Sequence, residues 1–223
     1  LLVTSAGNDY VRIISYPSAY NGVVTVAAST PHDDKADFST TGWWNSVAAP
    51  GVGIWSTVTD GGYESWQGTS MASPFVTGAA ALLLAEHPEL TTLQMKNQIE
   101  QTARGNGFTE ELGYGIIDVA AMIGDIKPMA YGSLKVTTNI DPEEVGYGVI
   151  TIFGSDELLR AYGTTGADGS HTFHAIMPGD YTVTLSFYNP VTGKWDIAYD
   201  EVTVEVDTRA TVSFEVNLEA DGV

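Results

Sequence analysis

The sequence of 223 residues contains no cysteine. It therefore cannot form disulfide bonds or bind a metal through thiolates. It also lacks an apolar run of the roughly 18 residues that a membrane-spanning helix requires. The longest apolar stretch, Ala79–Ala85, is far shorter than that. These absences exclude a disulfide-stapled scaffold, a cysteine-based zinc site and a helical membrane span.

Basic residues are scarce: the sequence has 9 lysines and arginines and 28 aspartates and glutamates, which gives a net charge of −19. Nucleic-acid binding needs Lys and Arg patches that displace counterions from phosphates. We therefore predict no nucleic-acid partner. Strong negative charge favours solubility, either in salty surroundings or in an ordinary acidic secreted protein. The residues before 126 carry a net charge of −9 and the remainder −10, so the acidity belongs to neither half alone.

The first half of the sequence contains two short apolar runs rich in β-branched residues, Leu1–Thr4 and Val23–Ala28. Runs of this kind are typical of strands in a parallel sheet that is covered on both faces. Because the chain begins as a strand already under way, we expect an N-terminal portion to lie outside this sequence. The 43% hydrophobic content suffices for a sizeable core.

Helical patterns follow from Ser70 onward. The first is apolar nearly all round, which predicts a helix buried in a core. Thr91 or Thr92 can cap a second helix that runs to about Arg104, and a short helix is expected around 119–123. Buried strands of the parallel-sheet type, followed by helices, predict an α/β fold for residues 1–126.

After Pro128 the sequence changes to strands with period-two alternation, separated by turn signals such as Asp168-Gly169 and Pro178-Gly179. Six or seven short strands in about 90 residues predict an all-β sandwich over residues 131–219. The predicted strands are Ser133–Thr138, Gly148–Phe153, His171–Ala175, Tyr181–Phe187, Ile197–Val204 and Thr211–Asn217.

Ser70 lies after a glycine and opens the apolar helix. A nucleophilic serine needs an exposed hydroxyl at a sharp turn and donors aimed at the oxyanion that it creates. The free N–H groups and the dipole of a helix N-terminus meet the second need. Serine is also a common helix cap, so this position alone does not distinguish catalysis from capping.

The segment Gly68-Thr69-Ser70-Met71-Ala72-Ser73-Pro74 resembles the sequence around the nucleophile of subtilisin-like serine proteases, the subtilase family. Other segments with that family's order and spacing are Ser5–Asn8, Tyr16-Pro17 with Val23–Ala28, Phe38-Ser39 with Ala48–Gly51, and Leu112–Asp118. The resemblance covers about residues 1–124. It implies the C-terminal half of a subtilisin-like domain, in which a parallel sheet lies between helix layers in three layers.

The resemblance implies three catalytic residues. Ser70 attacks the scissile carbonyl and forms an acyl-enzyme. The Asn8 side-chain amide and the Ser70 backbone N–H hold the oxyanion, and the Thr69 hydroxyl assists them. The structural alternative for Asn8 is a turn residue that tolerates a left-handed conformation.

By the same resemblance, Ser5, Ala6 and Gly7 form one wall of the primary specificity pocket. Asp9 lies at its edge and Ser15 at its base. An acid at the rim favours a basic residue before the cleaved bond.

A serine protease also needs a histidine base and an orienting aspartate. The family carries them in His-Gly-Thr and Asp-Ser/Thr-Gly motifs, and neither motif occurs here. We interpret the four histidines, His32, His87, His171 and His174, as solvated or structural residues. The resemblance thus implies part of a secreted endopeptidase acting on protein or peptide substrates, and the missing motifs imply that this part is inactive by itself. The alternative is a non-catalytic binding or adhesive protein with the same fold.

Asp33, Asp34 and Asp37 form an acidic turn whose spacing matches no complete calcium motif, so we assign no metal ligands. The resemblance implies that no cofactor is required for the chemistry, whereas calcium could stabilise the fold. The sequence does not indicate an oligomeric state.

Two later segments, Gly166–Phe173 and Met177–Val183, resemble the carboxypeptidase-regulatory-like or transthyretin-like sandwich. Two roles are compatible with such a domain. It could be a spacer, which we favour, or it could dock to a surface or a large protein substrate with the help of Trp195 and the tyrosines.

Overall fold

A computed structural model describes residues 1–157 and 159–218. The chain divides into two compact units, Leu1–Pro128 and Met129–Val223. The first unit mixes helices with a parallel sheet, whereas the second is built mainly of strands. No helix among the described residues is long and apolar enough to cross a membrane.

The first unit is organised by a parallel sheet of Val3–Ser5 (β1), Val24–Ser29 (β2) and Asn45–Pro50 (β3), in the order β1-β2-β3. The central strand β2 is buried along its whole length. Its small and β-branched side chains suit a strand covered on both faces. Both strands predicted for this part of the sequence are present. An antiparallel hairpin of Ile54–Thr57 (β4) and Tyr63–Trp66 (β5) follows.

Three helices accompany this sheet: Thr69–Glu86 (α1), Thr92–Gln101 (α2) and Val119–Met122 (α3). Thr91 and Gln94 form a capping box at the start of α2, as the predicted cap requires. The helix ends before the predicted position, Arg104. The backbone of Arg104 instead exchanges two hydrogen bonds with Ile116, at 2.8 and 3.0 Å, which takes it out of the helix.

Helix α1 lies against all three strands of the sheet. Ala72, Val76 and Leu83 join the core that it shares with β2 and β3. The prediction of a helix buried in a core holds for part of the α1 surface only, because Phe75 and Leu82 are 44% and 55% exposed.

The opposite face of the sheet carries a smaller cluster of Ala27, Ala48 and Ile116. Residues around Leu112 cover it, rather than a helix. A second helix layer, as a three-layer domain requires, is therefore not found within residues 1–157 and 159–218.

Helix α2 contains a buried ion pair between Lys96 and Glu100. The Lys96 ammonium also donates to the Val23 carbonyl at 3.2 Å and to Ser46 Oγ at 2.8 Å. Burial raises the pKa of Glu100, and Lys96 opposes that rise. The pair ties α2 to strand β3 and to the residue that precedes β2.

Within residues 129–157 and 159–218, the second unit has two sheets and one short helix, Pro142–Val145 (α4). The strands are Gly132–Thr138 (β6), Val149–Gly154 (β7), Leu159–Thr164 (β8), Ser170–Ile176 (β9), Gly179–Asn189 (β10), Lys194–Val204 (β11) and Arg209–Phe214 (β12). The sheet orders are β11-β10-β7-β8, antiparallel throughout, and β12-β6-β9, in which β12 and β6 are parallel. Side chains from both sheets form a single hydrophobic core.

All six strands predicted for this unit are present within a few residues, and β8 is additional. The predicted domain extends to residue 219, which lies outside the described residues.

Candidate active site

Ser70 is the second residue of α1 and is exposed to solvent. Gly68 and Thr69, which precede it, are buried. Gly68 takes φ 151° and ψ 160°, and its N–H donates to the Gly51 carbonyl at 2.8 Å. A glycine suits this turn because other residues rarely adopt such a φ. The chain thus turns sharply into the helix and leaves the serine side chain in solvent.

The Asn8 side chain is fixed against this turn. Its Oδ1 accepts hydrogen bonds from the Thr69 backbone N–H and from Thr69 Oγ1, both at 3.0 Å. Thr69 Oγ1 in turn accepts from the Gly7 N–H at 3.2 Å. Because Oδ1 is held in this way, the amide nitrogen is left to donate. That nitrogen lies 3.5 Å from the position that a Cβ on Gly68 would take.

The site therefore places two kinds of donor beside an exposed hydroxyl. One is the Asn8 amide, and the other is the Ser70 backbone N–H, which has no hydrogen-bond partner among the described residues. The N-terminus of α1 adds a partial positive charge. This combination can stabilise an oxyanion formed by attack of the hydroxyl on a carbonyl group. The Thr69 hydroxyl donates its hydrogen bond to Asn8 Oδ1 and so orients the Asn8 side chain.

Thr40 is a site residue that the sequence analysis missed. It is fully buried. Its Oγ1 accepts from the Asp9 N–H at 3.0 Å and donates to Asp9 Oδ2 at 3.1 Å, and its own N–H donates to the Gly7 carbonyl at 3.0 Å. Thr40 thereby holds the residues on both sides of Asn8. No local sequence signal could identify it, because 31 positions separate it from Asp9.

Gly7 is required in this loop for two reasons. Its φ is +106°, a conformation that favours glycine. A Cβ at this position would also lie 2.9 Å from both Asp9 Oδ2 and Thr40 Oγ1. The loop that carries Asn8 therefore packs too closely for any side chain at position 7.

The predicted pocket residues lie along β1 and the following loop. The Ser5 carbonyl accepts from Ser18 Oγ at 3.1 Å, and the buried Ala6 donates its N–H to the Val26 carbonyl at 3.0 Å. Asp9 is exposed but tied to Thr40. Ser15 is half-buried, and its carbonyl accepts from the Ala19 N–H at 2.9 Å. Thr40 fixes Gly7 and Asp9, the two neighbours of Asn8, through hydrogen bonds.

No hydrogen bond joins Ser70 to a histidine within residues 1–157 and 159–218. His87 caps the far end of α1, roughly 25 Å along a helix of this length. His32 lies in an exposed turn, where its N–H donates to Thr30 Oγ1 at 3.2 Å. His171 contacts the Thr164 carbonyl at 2.9 Å in the second unit. His174 is an exposed residue of β9.

The acidic turn holds no assembled metal site. Asp33 Oδ2 pairs with Arg104 Nη1 at 3.1 Å. Across the part of the chain that the structure describes, no group of three or more histidine, aspartate or glutamate side chains could hold a metal ion.

Comparison with known proteins relates this site to characterised proteases. The family model for the subtilase family matches residues 1–115. Subtilisin DY of Bacillus licheniformis is 40% identical over 125 residues, which cover 54% of this chain and 46% of that protein. Fervidolysin of Fervidobacterium pennivorans is 34% identical over 211 residues, which cover 82% of this chain and 30% of that protein.

The crystal structure of fervidolysin, described as a keratinolytic enzyme related to subtilisin, superposes with a TM-score of 0.74 and 26% identity. The match covers 95% of this chain and 39% of that one. The chain thus spans less than half the length of the relatives that it matches. With the family model covering just over half of its residues, this chain belongs to the subtilase family, the subtilisin-type serine proteases.

Proposed function

We propose that this chain supplies the nucleophile and the oxyanion site of a secreted serine endopeptidase that cleaves protein substrates through an acyl-enzyme on Ser70. The observation that carries the proposal is the exposed Ser70 at the start of α1, beside an Asn8 side chain oriented by Thr69. The histidine base and its aspartate would come from residues that precede Leu1. Secretion and protein substrates are inferred from family membership.

In the proposed reaction, Ser70 Oγ adds to the scissile carbonyl carbon while its proton passes to the histidine. The carbonyl oxygen becomes an oxyanion and accepts hydrogen bonds from the Asn8 amide and the Ser70 N–H. Collapse of this intermediate breaks the C–N bond, and the histidine returns the proton to the leaving amine. Water then hydrolyses the acyl-enzyme by the same steps.

The remaining parts of the proposal concern specificity and stability. Ser5, Ala6 and Gly7 would line the primary specificity pocket, with Asp9 at its rim favouring a basic residue before the cleaved bond. The second unit would be a β-sandwich of the carboxypeptidase-regulatory-like kind. Calcium remains a proposed stabilising ion without assigned ligands.

Covalent labelling tests the nucleophile. A fluorophosphonate should react with Ser70 when the chain is expressed together with its preceding residues, because an activated serine displaces fluoride from phosphorus. Mass spectrometry of the digested protein should find the adduct on the peptide that contains Ser70. An intact protein that stays unlabelled, or is labelled elsewhere, would instead support the non-catalytic binding protein.

Thr40 provides a separate prediction about the oxyanion site. Thr40→Val removes the hydroxyl that holds Asp9 and should let the Asn8 loop move. Because the oxyanion exists only on the reaction path, we expect kcat to fall on the order of tenfold with little change in KM. Thr40→Ser keeps the hydroxyl and should retain near-normal kcat. If both variants lose kcat equally, or if only KM changes, Thr40 does not act through Asn8.

A further inference from the structure

The outer face of the four-stranded sheet in the second unit carries large apolar side chains in solvent. Along β11, Trp195, Ile197 and Tyr199 alternate on this face and are 62%, 62% and 77% exposed. Their inward-facing neighbours Ala198 and Val204 belong to the core. A contiguous exposed apolar patch of this kind marks an interaction site more often than single exposed residues do.

Strand pairing extends the patch across the sheet. Tyr188 pairs with Trp195, and their rings meet edge to face with centroids 6.2 Å apart. Tyr162 lies on the same face of the opposite edge strand, and Thr184 and Thr151 separate it from Tyr199 in the pairing register. We call this surface, formed by Tyr162, Tyr188, Trp195, Ile197 and Tyr199, the aromatic face.

The aromatic face leads along β11 to an acidic cavity of about 470 Å³. Glu201 follows Tyr199 on the same side of the strand and lines the cavity with Asp180 and Glu157. Asp180 is held by Thr203, whose Oγ1 donates to it at 2.6 Å. Arg160 lies beside the cavity wall at Gly154, but Asp156 pairs with it. Among the described residues that line the cavity, three are acidic and none is lysine or arginine.

We propose that this face binds an extended polypeptide rich in arginine or lysine, with its cationic side chains on the aromatic rings and in the acidic cavity. Charge complementarity selects this occupant. Guanidinium and ammonium groups stack on Trp and Tyr rings, and carboxylates steer and pair with them. A second copy of the chain would bring two acidic surfaces together, because residues from 126 onward carry 15 acidic and 5 basic residues.

Such a face would hold a basic protein substrate independently of cleavage, so it extends the proposed peptidase function without depending on it. Binding is therefore measured on the Ser70→Ala form of the chain. The probe is a fluorescent peptide of alternating arginine and valine, followed by fluorescence anisotropy. An alternating glutamate–valine peptide serves as the opposite-charge control, and we expect it not to bind.

Two variants separate the aromatic face from the overall acidity of the protein. Trp195→Ser with Tyr199→Ser leaves the net charge unchanged and should weaken binding on the order of tenfold. Asp180→Asn with Glu201→Gln should weaken it about fivefold, whereas the matched change of Glu143→Gln with Glu144→Gln on α4 should alter it less than about twofold. All of these side chains are exposed, so the fold should be retained, as checked by thermal unfolding.

Three outcomes would overturn the proposal. Equal losses in the two charge variants would mean that the peptide responds only to net charge. Unchanged binding after loss of Trp195 and Tyr199 would remove the aromatic face from the interaction. Binding of a cello-oligosaccharide, or a dimer in sedimentation, that disappears in the Trp195→Ser and Tyr199→Ser variant would assign the face to a sugar or to a second copy.

Discussion

Replacing Ser70 by alanine is expected to abolish peptide hydrolysis by the protein that contains the complete triad. Removal of the Oγ atom leaves nothing to form the acyl-enzyme. In subtilisin itself, loss of the nucleophile lowers kcat by about 2 × 10⁶-fold, and we expect a loss of that order here. The measurement is the turnover of a chromogenic peptide, with substrate binding followed separately.

Ser73→Ala provides the matched control, because Ser73 lies one turn further along α1. Its hydroxyl donates to the Thr69 carbonyl at 3.0 Å and is tied to the helix. Losing this bond should change the unfolding free energy by about 1 kcal/mol or less and leave hydrolysis largely intact. Substantial hydrolysis by Ser70→Ala, or an equal loss in Ser73→Ala, would contradict the assignment of Ser70 as nucleophile.

Replacing Lys96 by methionine is expected to destabilise the first unit by about 3–5 kcal/mol near neutral pH. The change leaves Glu100 as a buried carboxylate without its counter-charge, in a residue that is only 3% exposed. It also removes donors from the Val23 carbonyl and from Ser46. Denaturant unfolding followed by tryptophan fluorescence measures the effect.

The pH dependence of this effect follows from the pKa of Glu100. Burial raises that pKa in the folded chain above its ordinary value of 4.5, and loss of Lys96 removes a group that lowers it. A raised folded pKa means that the folded state holds the proton more tightly than the unfolded state. The destabilisation is therefore largest above the folded pKa and should shrink as the pH falls through that pKa towards the ordinary value of 4.5.

Two further variants complete the test of the ion pair. Lys127→Met changes an exposed lysine of the same unit and should alter the unfolding free energy by less than about 0.5 kcal/mol. Lys96→Met with Glu100→Leu removes both charges and should recover much of the lost stability. A double variant as unstable as Lys96→Met alone, or a loss independent of pH, would show that packing rather than the unpaired charge causes the effect.

The accuracy of prediction from sequence differed between strands and helices for a physical reason. The strands around Val23–Ala28 and Tyr181–Phe187 were predictable because each carries its own apolar pattern, continuous in the first and alternating in the second. The end of α2 was not, because residue 104 leaves the helix to pair with Ile116. A partner that is distant in sequence competed there with local helix propensity.

Helix α1 illustrates the same limit in its burial. Its composition predicts a helix that is apolar on every side, and Leu83 is indeed fully buried. The exposure of Phe75 and Leu82 could not be predicted, because burial depends on which surfaces lie opposite the helix. The spacing of apolar residues predicts that a helix forms, but it does not predict which parts of that helix other segments will cover.

The sequence by itself determined the family, because the Gly68–Pro74 segment and the segments around it are local and specific, and it predicted Ser70 as the nucleophile. Only the tertiary structure decided how Asn8 is oriented, since Thr69 bonds its side chain from 61 positions away in sequence and Thr40 holds its neighbour Asp9 from 31 positions away. It also decided that Trp195 and Tyr199 share one exposed face beside an acidic cavity. A motif consists of neighbouring residues and can be recognised in the sequence. The orientation of hydrogen-bond donors and the composition of a surface depend on contacts between segments that only folding brings together.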